Sequence, residues 1–153
     1  MQYYKDVSPW IIEDQSLANI KTAIDVKKLR PHLKLLTCDY FTLQSKYDHS
    51  KKGSPLCKAC DKENETIPHI VATCEAYEEF RKRLLDQISE VYPALPVLDD
   101  PEVQTQFILD PTSLNLAQRI NRNDPVVPQI FSFIRDFCFR THNERMRRLS
   151  YIA

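Results

Sequence analysis

Through much of the chain apolar residues recur every three or four positions, the spacing of helices that bury one face. Leu17, Ile20 and Ile24 set the first stripe, and Leu29, Leu33, Leu36, Tyr40 and Leu43 resume it after Pro31. This predicts two helices before residue 45, with Pro31 in the first turn of the second, where its missing N–H costs nothing. From Ser45 to Leu56 the period is lost, and SKYDHSKKGSPL reads as a polar loop. Tyr77, Phe80, Leu84, Leu85, Ile88 and Tyr92 then fall on one face of a helix, with Glu78, Glu79, Arg81, Lys82 and Arg83 on or beside the other. Pro93 and Pro96 end it. Asp99, with Glu102 three residues later and Pro101 between them, has the form of a capping box for a short helix towards Leu109. Leu114, Ala117 and Ile120 predict a further short helix, and residues 121–128 form a polar, proline-bounded connection. Ile130, Phe131, Ile134, Phe137 and Cys138 are the apolar stripe of a last, long helix.

Composition supports a helical chain. One glycine, Gly53, against ten prolines leaves little of the positive-φ backbone that hairpins and phosphate-cradling loops draw on. The 153 residues fit one domain, 1–153. Twenty-one Lys and Arg balance twenty-one Asp and Glu, so no global field draws phosphate and any nucleic-acid surface must be local. The start, MQYYKDVSPWIIEDQ, lacks a basic-then-apolar signal pattern, and no apolar run reaches the roughly 20 residues that span a bilayer. An intracellular protein without a membrane partner is expected, with nothing to choose between nucleus and cytoplasm.

Three of the five cysteines crowd together beside a histidine: Cys57, Cys60, His69 and Cys74 form C-x2-C-x8-H-x4-C. A pair spaced C-x2-C places two thiolates across a tight knuckle, and one histidine plus a third thiolate complete a tetrahedral set suited to a single structural zinc ion. Such a set leaves no position for water or substrate. Thr66 is available to cap a helical turn that carries Pro68 and His69. Five residues along a straight helix rotate by about 140°, so the turn is expected to tighten or break near Thr73 to bring Cys74 to the same ion. Cys38 and Cys138 lie on apolar stripes and are expected to be buried spectators, whereas His32 and His142 are expected at the surface. The fold expectation is therefore mostly α: a helical domain with a small inserted zinc-binding hairpin. Its zinc-binding region spans about 45–85 and its C-terminal helical region about 97–150.

The ligand string, read with Leu35-Leu36-Thr37-Cys38-Asp39-Tyr40-Phe41-Thr42-Leu43 before it and Cys74-Glu75-Ala76-Tyr77-Glu78-Glu79-Phe80-Arg81 after it, resembles the zinc-binding region of LINE-type retrotransposon reverse transcriptases. That region lies downstream of the polymerase domain, and the match covers roughly residues 35–85. The family commonly has glycine where Cys38 stands. The resemblance implies a fragment or descendant of such an element's C-terminal part, helping to hold RNA or DNA near a polymerase domain.

No nucleophile elbow, phosphate loop or HExxH helix occurs, and Asp99-Asp100 reads as a helix cap, so no enzyme is expected. For nucleic acid, the strongest cluster of phosphate-binding candidates is Arg140, Arg145, Arg147 and Arg148, with Lys27, Lys28, Arg30, Lys34, the lysines of the 45–56 loop and Arg81 to Arg83 in support. The alternative is a protein–protein interaction module, or a structural relic, stapled by zinc; the zero net charge suits a protein partner.

Overall fold

The computed structural model describes residues 23–150. Five α-helices form its frame: α1 (Ala23–Leu36), α2 (Leu43–Ser50), α3 (Glu78–Val91), α4 (Pro101–Leu109) and α5 (Val127–Ser150). Between α2 and α3 the chain makes a small hairpin closed by a single antiparallel bridge, Leu56 to Asn64, then a wide π turn (His69–Thr73) and a short 3-10 turn (Glu75–Tyr77). The molecule is thus mostly helical, with the cysteine-rich hairpin inserted between helices.

Helix α5 organises the rest. Its stripe of Ile130, Phe131, Ile134, Phe137 and Cys138 is buried, with α1 packed along it and α3 also against it. Helix α4 packs on the π turn and touches α1. One contiguous core results, running from Leu35 and Leu36 through Ile67, Ile70 and Tyr77 to Leu84, Ile88 and Phe107. Each such side chain contributes about 1.5–3 kcal/mol when fully buried, so the core dominates stability.

Several expectations require correction. Helix α1 runs unbroken through Pro31, which forfeits the bond to the Lys27 carbonyl at a cost of about 3 kcal/mol. The buried stripe Leu29, His32, Leu35 and Leu36 crosses the proline, and its burial outweighs that loss. The stretch 45–56 is not all loop. Residues 43–50 form α2, which buries nothing and rests on a capping box in which Thr42 accepts from the Ser45 amide and Ser45 Oγ from the Thr42 amide. Tyr40 lies in the connection between α1 and α2, not on a helix. The cap of α4 is Asp100, which accepts from the Glu102 amide at 2.8 Å, rather than Asp99. Residues 114–120 make successive turns instead of a helix: Leu116 and Ile120 are buried, while Leu114 and Ala117 face solvent. The helix proposed around Leu17 and Ile20 lies outside the described residues.

His32 is also inside rather than outside. Its Nε2–H donates to the Leu109 carbonyl at 2.8 Å, while Nδ1 is buried without a partner. Burial, against the help of that hydrogen bond, pushes its pKa down to about 4. Cys38 terminates α1 with φ of +62°, the left-handed conformation usually left to glycine after a helix. It is half-buried in that turn, not on a helical stripe; Cys138 is fully buried, as expected. No helix among the described residues is long and apolar enough to cross a membrane.

Candidate metal centre

The hairpin and the turn that follows it deliver the four expected ligands to one point. One ligand atom from each of Cys57, Cys60, His69 and Cys74 lies within 4.8 Å of all the others. Cys57 and Cys60 come from the knuckle at the hairpin's bend, where Asp61 adopts φ of +58° and its amide donates to the Cys57 carbonyl at 2.9 Å. The Cys57 amide in turn donates across the hairpin to the Glu63 carbonyl at 2.8 Å.

His69 and Cys74 come from the π turn. Thr66 Oγ1 accepts from the His69 amide at 3.2 Å, the capping role its position suggested. Beyond it the helix widens: the Cys74 amide donates to the His69 carbonyl five residues back, at 2.7 Å. Residues 69 and 74 are thereby brought to one side, although the rotation of an ordinary helix would have parted them. Of the two remedies expected near Thr73, tightening or a break, the structure corrects the first to widening. The break then comes at Cys74 itself, whose ψ of 121° is extended.

Two of the six distances between these atoms match the edges of a tetrahedron around one ion. Cys57 Sγ lies 3.9 Å from Cys74 Sγ, and Cys60 Sγ lies 3.3 Å from His69 Nε2. Metal–sulfur bonds of about 2.3 Å and metal–nitrogen bonds of about 2.0 Å require tetrahedral edges of roughly 3.5–3.8 Å, close to both values. A disulfide would need about 2.05 Å, so the two sulfurs are not bonded to each other. Four protein ligands would close the shell of a tetrahedral ion.

A second layer orients these groups. His69 Nδ1 lies 3.1 Å from Glu63 Oε2 and 3.1 Å from Thr73 Oγ1. With Nδ1–H donating to Glu63 Oε2, Nε2 presents its lone pair to the centre, the usual arrangement for a metal-bound imidazole. The Cys57 thiol is drawn down to about 5, first by its hydrogen bond with Cys74 and then by the amides of Cys60 and Ala59, which together outweigh burial. The Cys74 thiol is pushed up by the same hydrogen bond and by burial. The pair therefore holds a single negative charge easily and resists a second, which a bound cation would supply the charge to offset. Arg81 is buried and caps the back of the site, donating to the Cys74 carbonyl from Nη2 at 2.8 Å and from Nη1 at 3.3 Å.

The candidate phosphate-binding arginines are not one cluster. Arg145 is 5% exposed and forms a two-pronged ion pair with Glu65, itself 1% exposed: Nη2 to Oε1 at 2.7 Å and Nε to Oε2 at 3.0 Å. Its guanidinium also donates to the Phe41 carbonyl at 3.1 Å and stacks on the Tyr40 ring at 5.2 Å. This removes Arg145 from the phosphate-binding set, because an arginine so desolvated and paired cannot reach a solvent-borne anion. Arg140 is exposed and pairs with Asp136, while Arg147 and Arg148 pair with Glu144 at the surface. Arg81 likewise leaves the set, being buried behind the metal site.

The parts that Glu63, Glu65, Thr73 and Arg81 play around the site were not anticipated, nor was the Tyr40–His142 hydrogen bond of 2.8 Å, which holds half-buried a histidine expected at the surface. Only Thr73, one turn beyond His69, was within reach of spacing arguments; the Glu65–Arg145 pair spans eighty residues. No protein-family model, curated protein or solved structure matches this chain.

Proposed function

We propose that the chain is a non-catalytic module folded around one structural zinc ion, descended from the region downstream of a LINE-type reverse transcriptase polymerase, and that it assists RNA or DNA binding. The observation that carries the zinc reading is the closed set of three sulfurs and one nitrogen within 4.8 Å, backed by a carboxylate on the histidine's far nitrogen. Zinc suits this donor set because it accepts mixed sulfur and nitrogen without geometric or redox demands. With the shell filled by protein, the ion's part is to hold the hairpin against the helices. The left-handed φ at Cys38 supports the resemblance, since it is the conformation of a glycine at the position where the family commonly carries one.

Two measurements test this reading. Elemental analysis of reduced, folded protein should find close to one zinc per chain, and a metal content near zero would remove its foundation. Replacing Arg140, Arg147 and Arg148 together by glutamine should weaken binding to single-stranded RNA or DNA and lower the slope of log K against log salt by roughly 0.7 per lost phosphate contact. Intact protein that binds no RNA or DNA at low ionic strength would turn the assignment to a protein partner.

A further inference from the structure

The most exposed aromatic among the described residues stands at a place where the backbone is unusually well held. Phe41 is 62% exposed, although its neighbours Tyr40 and Thr42 are buried. The three sit in the short connection between α1 and α2. Tyr40 is fixed from two sides, by its hydroxyl to His142 Nδ1 at 2.8 Å and by Arg145 over its ring. The Phe41 carbonyl accepts from Arg145, whose other bonds lock it to Glu65, and Glu65 Oε1 accepts from the Leu43 amide at 2.9 Å. The ring is therefore presented to water from an ordered backbone, not from a loose loop tip.

Phe41 lines an open groove of about 480 Å³ between the end of α1, the start of α2 and the last turns of α5. Lys34 and Lys46 stand on its lining, both exposed and neither in an ion pair within the described residues. Arg30 lies one helical turn before Lys34 on α1 and is also exposed. Both charges reach across to His142 and help hold its pKa down, behind burial and Arg145. Asp39 is the only carboxylate lining the groove, and it is engaged by the Thr37 hydroxyl at 2.9 Å. Met146 and Leu149 supply the apolar wall. A flat apolar ring flanked by free cations in a locally basic groove is the combination that binds an unpaired base and its phosphates.

We propose that this groove binds single-stranded nucleic acid, with a base stacked on Phe41 and the flanking phosphates on Lys34 and Lys46. The proposal rests on the nucleic-acid reading above and assigns that reading a site distinct from Arg140, Arg147 and Arg148; the Arg145 that lines the groove is held by Glu65. Stacking tolerates any base, so the groove has no sequence preference of its own. A base already stacked in a duplex cannot reach Phe41, so single strands bind in preference to duplex.

The test is fluorescence anisotropy of a labelled mixed-sequence RNA of about 16 nucleotides, the upper site size of a single-strand-binding fold, alone and annealed to its complement, across a salt series. Phe41→Ala should weaken single-strand binding roughly five- to a hundredfold, the worth of one stacked base, with little change in salt slope. Phe41→Trp should restore it. Lys34→Gln with Lys46→Gln should lower the slope by about 1.4, two contacts at about 0.7 each. All these side chains are exposed, so metal content and melting midpoint should match the wild type and exclude misfolding. Phe41→Ala binding within twofold of wild type, or equal affinity for duplex and single strand, would overturn the groove. If the Arg140, Arg147 and Arg148 variant still weakens binding in that case, the broader reading survives its loss. An intact chain that binds neither form overturns both.

Discussion

Residues 51–64, which carry Cys57 and Cys60, and residues 66–77, which carry His69 and Cys74, meet at one point but are built differently. The second segment is part of the core: Ile67, Ile70, Val71 and Tyr77 are buried, and its turn packs against α3 and α4. In the first, Cys57 alone is fully buried, residues 51–54 and 61–64 are exposed, and a single bridge closes the hairpin. The hydrophobic effect can thus hold the histidine arm without metal, whereas the knuckle arm has few apolar contacts to hold it. The candidate ion would act as a clamp, fastening a weakly built arm onto one already made.

The sharpest way to break this comparison is to remove the metal. Chelation, or Cys60→Ser, should raise amide exchange across 51–64 far more than across 66–77 or α5. The cost should be several kcal/mol, less than the roughly 10–16 kcal/mol of isolated zinc-finger peptides, because half the site is already folded. Equal loss of protection in both arms would show that the core arm also depends on the ion.

Glu65 sits where the arms join, and its pair with Arg145 ties that junction to α5. Glu65→Ala leaves a buried guanidinium without its charge partner and should cost about 3–5 kcal/mol in denaturant titration. It should loosen both arms together, unlike metal removal. A cost below about 1 kcal/mol would mean that water reaches the pair and that the junction is not fixed by it.

Acidity acts on the α4 support of the core arm through two opposed groups. Asp110 is raised from 3.8 to about 6, by burial against its hydrogen bonds from Thr112, so the folded state holds an extra proton between those values and stability falls as pH rises through them. His32, lowered from 6.5 to about 4, does the reverse: the unfolded chain binds the proton first, and stability falls as pH drops from 6.5 towards 4. Over the shared window they offset each other. Asp110→Asn keeps the acceptor for Thr112 but removes the carboxyl's contribution, so stability should fall more steeply on acidification from pH 6 to 4, by up to about 3 kcal/mol, at about 1.4 kcal/mol per pH unit. An unchanged profile would mean that Asp110 is ionised throughout.

The smallest effect belongs to the knuckle arm's link to α5. Arg148 reaches the Ala59 carbonyl at 3.4 Å and pairs with Glu144 at 2.9 Å, both near the surface. Arg148→Gln should cost under about 0.5 kcal/mol, as surface pairs do. A loss as large as that of Glu65→Ala would show that the knuckle arm is held by the protein and not by metal.

What could be read from the sequence divides along the same line of distance. The four ligands were legible because C-x2-C and H-x4-C are local patterns, and α3 and α5 because their apolar stripes are long. Helix α2 was missed because it buries nothing, leaving no period to find; its signal was the Thr42–Ser45 cap, with serine where glutamate or glutamine is the familiar partner. The 114–120 turns were misread because Leu114 faces solvent, so its spacing to Ile120 carried no burial. His32 and Arg145 look like surface residues by type, and their partners, Leu109 and Glu65, lie 77 and 80 positions away. Tertiary contacts at that separation leave no trace in spacing.

The wide turn at His69–Thr73 also bears on how such a chain tolerates change in length. One residue added to an ordinary helix swings everything beyond it by roughly 100°. Here the helical course ends at Cys74, whose extended ψ of 121° uncouples the phase of α3 from that of the turn. The candidate metal site can therefore differ by one residue between histidine and cysteine while α3 keeps its seat on α5, so the separation of these two side chains and the packing of the helices are free to drift independently.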